Sequence, residues 1–258
     1  MNRNAFIALA AVSLELFACT NQDDKPSQSP GAALDAVQNP TGSFGADNAG
    51  DAFSKYGSDK KSSSGLASTG GGSSAGGSTT TQSYRLHILA GNVQSTACEE
   101  GAKCACPSGG SFTYQKQNSD YGPALSASFD SCVFDDGNGF SGDMLLLQSD
   151  KPLLKSDKAD VGTDAASDAS LLLAADGTFT NGSDSIKADV VFLHERSVDY
   201  LAVEVKDGKI VIGVRETDGL AVVYAKDTTW VCKPDASANY DCQEQSSGQK
   251  VSASKPSS

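Results

Sequence analysis

Basic residues are scarce in this 258-residue chain, where 20 Lys and Arg stand against 32 Asp and Glu for a formal net charge of −12. That balance argues against nucleic acid as a partner, because phosphate backbones are held by a basic footprint. It equally disfavours a protein face that grips anionic lipid headgroups. Histidine is nearly absent, with only His87 and His194. The stretch His194-Glu195-Arg196-Ser197-Val198 opens like a zincin helix but carries Val198 where the second ligand belongs. There is no Cys-x-x-Cys, and long apolar runs are missing too. Ala5–Leu14 has ten apolar or small residues, which rise only ~15 Å as a helix against a hydrocarbon core of ~30 Å. That run is too short for a permanent transmembrane helix.

What the start of the chain does have is a secretory pattern. Arg3 supplies a positive charge, Ala5–Leu14 the apolar segment and Ala18 a small residue ahead of Cys19. Leu16-Phe17-Ala18-Cys19 resembles the lipobox of bacterial lipoprotein signal peptides, with Leu16 three residues before the cysteine and Ala18 just before the cut. Phe17 departs from that pattern, where a small residue is usual, and Glu15 is a charge close to the cut. The resemblance implies that residues 1–18 are removed as a signal peptide and that Cys19 is lipidated. The partner is then the membrane, reached through an N-terminal lipid anchor. Thr20, where an Asp marks inner-membrane retention, implies by the same resemblance an outer-membrane address in the bacterial cell envelope. Each buried methylene adds ~0.8 kcal/mol of membrane affinity, so the family's two or three chains make a stable anchor. The competing reading is ordinary cleavage that leaves Cys19 a free thiol.

Residues 19–83 read as the lipidated cysteine followed by a disordered, Gly/Ser-rich tether. Ser62–Ser83 runs SSSGLASTGGGSSAGGSTTTQS, a composition with almost nothing to bury. Upstream the apolar residues are scattered: Leu34, Val37, Phe44, Phe53 and Tyr56. A brief helical turn over Ala32–Gln38 and a docked N-terminal arm are the alternatives. A coil of this length reaches about 40–50 Å on average. Gly72-Ser73-Ser74-Ala75-Gly76 matches the hydrolase Gly-x-Ser-x-Gly pattern, but that motif works only on a strained strand-to-helix turn.

From Tyr84 the periodicity becomes two, and residues 84–244 are expected to form one β domain, with 245–258 a disordered tail. Leu201, Val203 and Val205 alternate with polar or small residues, Asp207-Gly208 follows, and Ile210, Ile212 and Val214 alternate again. An Asp-Gly turn predicts a hairpin with Val205 opposite Ile210 and Val203 opposite Ile212. Further strands are expected over Tyr84–Val93, Ser111–Gln117, Leu125–Phe134, Phe140–Gln148, Leu171–Ala175, Thr178–Thr180, Ile186–Phe192, Gly219–Lys226 and Thr228–Cys232. Asp-Gly at 136, 176, 207 and 218 and Asn-Gly at 138 and 181 read as hairpin turns. The fold class is therefore all-β, an antiparallel meander curled into a sandwich or barrel. Ser156–Ala169 is the best helix candidate, but Asp157, Asp160, Asp164 and Asp168 would crowd one face, so it reads as a loop.

Seven cysteines minus Cys19 leave six in the domain: Cys98, Cys104, Cys106, Cys132, Cys232 and Cys242. An even set suits disulfides in an oxidising compartment. Neighbours in Cys104-Ala105-Cys106 look elsewhere for partners, and Cys232 and Cys242 flank a turn-rich loop. Of fifteen possible pairings, the favoured one is Cys98–Cys104, Cys106–Cys132 and Cys232–Cys242. Zinc on Cys98, Cys104 and Cys106 is the rival. Asp135-Asp136-Gly137-Asn138-Gly139 offers oxygens to calcium but reads first as a hairpin loop.

No catalytic residue and no cofactor is expected. The reading is a non-catalytic, lipid-anchored envelope protein whose β domain makes structural or binding contacts with an envelope protein, a glycan or a small ligand. One alternative is a lipid-carrier-like half-barrel with an apolar ligand in a hollow lined by Leu and Val. The other is an extracytoplasmic hydrolase, which would need Asp, Glu and one His to converge in a cleft.

Overall fold

The computed structural model describes residues 29–65, 98–134, 138–154, 170–181, 184–215, 217–237 and 239–253. Among the described residues twelve strands form one antiparallel sheet and pair in strict chain order. They are β1 Cys104–Ala105, β2 Gly109–Ser119, β3 Gly122–Val133, β4 Asn138–Ser149, β5 Ser170–Asn181 and β6 Asp184–Glu195, then β7 Val198–Val205, β8 Gly208–Arg215, β9 Ala221–Tyr224, β10 Thr229–Pro234, β11 Tyr240–Glu244 and β12 Lys250–Ala253. Among the described residues β1 and β12 are the two edges, so the sheet is unclosed. The all-β antiparallel meander expected from the alternation is what the chain forms.

Both faces of the sheet are apolar. Leu173, Val203, Ile210, Ile212 and Trp230 lie on one face with Phe112, Phe129 and Phe140. Leu145, Leu172, Leu193, Tyr200, Val211 and Val222 lie on the other. Central strands therefore carry unbroken buried runs, as in Val198–Val203 of β7 and Ile210–Gly213 of β8. Two apolar faces need two covers, and two helices supply them. α1 (Pro30–Gln38) packs on β5 to β8, and α2 (Ala49–Gly65) packs on β6, β7 and β12. β7 and β12 are five strands apart, about 24 Å in a flat sheet. With 17 residues α2 is about 25 Å long, enough to reach across that span.

These helices correct the reading of a disordered tether over residues 30–65, while 19–28 and 66–83 lie outside the described residues. Leu34 and Val37 are 1% and 0% exposed, and Phe44, Phe53 and Tyr56 are also buried. Their spacing is too sparse to mark a helix by period alone, and their partners are on the distant sheet. Phe53 stacks on Tyr240 with ring centroids 4.2 Å apart, and Phe44 meets Trp230 edge-on at 5.4 Å. The helix-start signal was local all the same: Ser29 caps α1 by accepting from the Ala32 amide, and Pro30 stands in its first turn. The expected tail at 245–258 is corrected as well. β12 pairs with β11, burying Val251 and Ala253 under α2's face of the sheet.

The register of the β7–β8 hairpin differs by two residues from the expectation. Val203 pairs with Ile210 and Leu201 with Ile212, because the chain turns at Lys206-Asp207 and Gly208 already pairs with Val205. A shift of two keeps every side chain on its face, whereas a shift of one would reverse them all. Asp176-Gly177 is not a turn: β5 runs straight through it, with Gly177 between Gly142 and Ala188. A bulge at Ser131, whose φ is +50°, inserts one extra residue into β3. Phe129 and Cys132, three apart, thereby reach the same core. The candidates Tyr84–Val93 and Ser156–Ala169 lie outside the described residues.

Asp218-Gly219 does turn, with φ +72° at Gly219. The turn is pinned by Arg215, whose Nε and Nη2 donate to the two Asp218 oxygens at 2.8 and 2.6 Å. Those bonds, with the Leu220 amide, hold the Asp218 carboxyl at about 2 instead of the ordinary 3.8. A depressed carboxyl favours the fold above the ordinary carboxylate range, and the contribution disappears as pH falls through the folded value. Carboxyl NMR titration should find the Asp218 midpoint near 2, and Arg215→Ala should return it towards the ordinary range.

Candidate functional site

A polar hollow of about 480 Å³ lies on the outer face of the first strands, the face that α1 covers further along the sheet. It is lined by Lys103, Ser111, Thr113, Ser128, Asp130, Asp143 and Asp176. Register builds it. Thr113 pairs with Ser128, Ser128 with Asp143, Asp143 with Asp176 and Asp176 with Asp189, one residue from each of five neighbouring strands. Directly opposed residues share a face, so three aspartates stand in a row. Like charges so placed are unfavourable by a few tenths to about 1 kcal/mol each. Partners at both ends of the row offset this: the Ser128 hydroxyl donates to Asp143, and Lys209 Nζ lies 3.1 Å from Asp189. Lys103 faces Asp130 at 3.7 Å. The hollow thus presents hydrogen-bond acceptors of net negative charge with one ammonium. Among the described residues no cluster of three or more His, Cys, Asp or Glu has the geometry to hold a metal ion.

The second polar assembly sits at the end of the sheet where β6 turns into β7. Glu195 is 1% exposed, and its Oε2 accepts from the Leu153 amide at 2.6 Å, the Leu154 amide at 3.2 Å and the Ser170 hydroxyl at 2.9 Å. It ties the segment after β4 to the start of β5. His194 Nδ1 lies 2.8 Å from Asp199 Oδ1, across the β6–β7 ladder where the two residues pair directly. The run that began like a zincin helix is a two-residue hairpin turn, with Arg196 at φ +52° and Ser197 at φ +61°. Burial pushes the neighbouring Tyr200 phenol up, with the Glu195 charge adding to the effect. Glu195 lies on the α1 face with Val198, and His194 points to the opposite face with Phe192. His194 therefore meets Asp199, while Glu195 stands on the other face and does not join that pair.

The six cysteines meet in the three pairs favoured from spacing. Cα–Cα distances are 5.9 Å for Cys98–Cys104, 5.5 Å for Cys106–Cys132 and 3.9 Å for Cys232–Cys242. The last pair is directly opposed on β10 and β11. The Cys98–Cys104 turn covers the β2 edge, where the Gly101 amide donates to Tyr114 O and Glu100 accepts from the Lys116 amide. Of the loop considered for calcium, Asn138 and Gly139 are in β4 and Asp135–Gly137 lie outside the described residues. Cys19, His87, Gly72–Gly76 and Asp157–Asp168 also lie outside them. Sequence reasoning missed Lys103, Asp130, Asp143 and Asp176. Only the cross-strand register unites them, and Asp176 had been assigned to a turn. No protein-family model, no curated protein and no solved structure matches this chain.

Proposed function

We propose that this is a lipid-anchored protein of the bacterial cell envelope, held to the membrane through Cys19, whose disulfide-stapled β domain serves non-catalytic contacts. The observation that carries the reading is cysteine parity. Every cysteine from 98 onward has a partner in the domain, which leaves Cys19 as the odd thiol at a lipobox-like sequence. Three disulfides in one small domain suit an oxidising compartment outside the cytoplasm. The outer-membrane address rests on Thr20 alone.

The contact role draws support from where the reactive groups go. Glu195 and the His194–Asp199 pair are committed to holding strands and loops together. The hollow offers carboxylates and hydroxyls that would meet an envelope protein, a glycan or a small ligand by hydrogen bonding. A carrier with an apolar cavity is less favoured. The face of the sheet that would hold the ligand is filled by Phe44, Phe53, Trp230 and the rest of that core. Detergent phase partitioning tests the anchor. The mature protein should enter the detergent phase and Cys19→Ala should stay aqueous; equal partitioning of the two would end the proposal.

A further inference from the structure

Residues 30–56 run as a strap across the end of the β7–β8 hairpin, with α1 on one face of the sheet and α2 on the other. The crossing is tight. Thr41 and Gly42 amides both donate to Lys209 O, at 2.8 and 2.9 Å, and the Lys209 amide donates back to Thr41 Oγ1 at 3.1 Å. Lys226 N donates to Gly42 O at 2.9 Å, and Ser43 N to Asp207 at 3.2 Å. Two glycines permit the approach. A Cβ on Gly42 would stand 2.5 Å from Val205 Cγ2, and one on Gly208, at φ +150°, would stand 2.8 Å from Gly42 N. The apolar anchors on either side are Leu34 and Val37 under α1 and Phe44, Phe53 and Tyr56 beneath the opposite face.

We propose that this docked strap is a height-setting clip that keeps the β domain beside the membrane. The inference rests on the anchoring of Cys19 proposed above. From Cys19 to the α1 cap at Ser29 is ten residues, which span at most ~35 Å however they are arranged. From Cys19 to Cys98, the first described residue ahead of β1, is 79 residues, with a limit of about 280 Å. With the strap docked only the first span counts, so the folded body starts within ~35 Å of the lipid surface. A leash of the longer kind would suit distant partners, whereas the shorter one confines contacts to molecules at the membrane itself.

Chain length gives a test that leaves the fold untouched. Thirty Gly/Ser residues are inserted either between Thr20 and Asn21 or after Ser74, and the lipidated proteins are placed on supported bilayers. Neutron reflectometry then reads the mean height of the protein layer. With the strap docked, the first insertion lengthens the leash from ten residues to about forty, which raises the layer by about the leash's original mean span, since square-root scaling doubles that span. The second insertion lies beyond the strap and leaves the height unchanged. If the strap does not hold, both insertions extend the same 79-residue leash and raise the layer equally, by about a fifth of that leash's mean span. That equality would overturn the clip while leaving the anchor intact. If none of the proteins stays on the bilayer, the anchoring through Cys19 fails and the clip with it.

Discussion

Removing the Cys106–Cys132 disulfide by a double change to alanine should lower the unfolding free energy by about 3–4 kcal/mol. The bond closes a separation of 26 residues, the longest of the three pairs. Loop-closure entropy in the unfolded chain grows with that length, so the corresponding loss for Cys98–Cys104, at a separation of 6, should be nearer about 2 kcal/mol. Position adds to the effect. Cys132 is 1% exposed and enters the core only because the Ser131 bulge turns it there beside Phe129 and Phe140. Urea denaturation of the two double variants checks the order. A Cys98–Cys104 loss as large as the Cys106–Cys132 loss would show that the unfolded chain is not what these bonds constrain.

Glu195→Ala should cost about 3–5 kcal/mol, since it removes the acceptor of the buried Leu153 and Leu154 amides, while Ser170 Oγ keeps Lys151 O at 3.1 Å. Leu153 N, Leu154 N and Ser170 Oγ all point at Oε2, and both leucines are buried beside them. Unsatisfied buried donors cost about 1–3 kcal/mol each unless water or a shift of the segment rescues them. Glu195→Gln keeps one carbonyl oxygen and should lose less than half as much. Hydrogen exchange locates the damage: the amides of Leu153 and Leu154 should lose protection first in the alanine variant. A loss below about 1 kcal/mol, with those two amides still protected, would mean that Glu195 does not hold the segment.

The parts of this fold that were legible in the sequence are those in which a local pattern repeats the global answer. Leu201–Arg215 shows its hairpin because alternation on both arms selects the same face, and the cysteine pairs follow from spacing and parity. Register was legible only to within two residues. Turn chemistry favours Asp207-Gly208 as the turn, but Gly208 belongs to the first pair of β8, where Thr41 and Gly42 approach it closely. That contact comes from 166 positions upstream in the chain and has no local trace.

The strap was hidden for the same reason. Phe44, Phe53 and Tyr56 look isolated in a polar segment, and only Trp230, Tyr240 and the inner face of the sheet make them a core. Asp176-Gly177 shows the opposite failure. A strong turn signal was overridden because the flanking runs Leu171–Ala175 and Thr178–Thr180 are both paired on two sides with β4 and β6. The polar hollow inherits that error, since Asp143, Asp176 and Asp189 form a row only when β5 is continuous.

The address and reach of the protein turn on the chemistry of one thiol, Cys19. Intact mass of the mature protein, purified from membranes without reductant, reads it directly. The account predicts a chain that begins at Cys19, carries a diacylglyceryl thioether, and retains three disulfides with no group reactive toward maleimide. A mature chain that begins at Cys19 with an unmodified, maleimide-reactive thiol would contradict it.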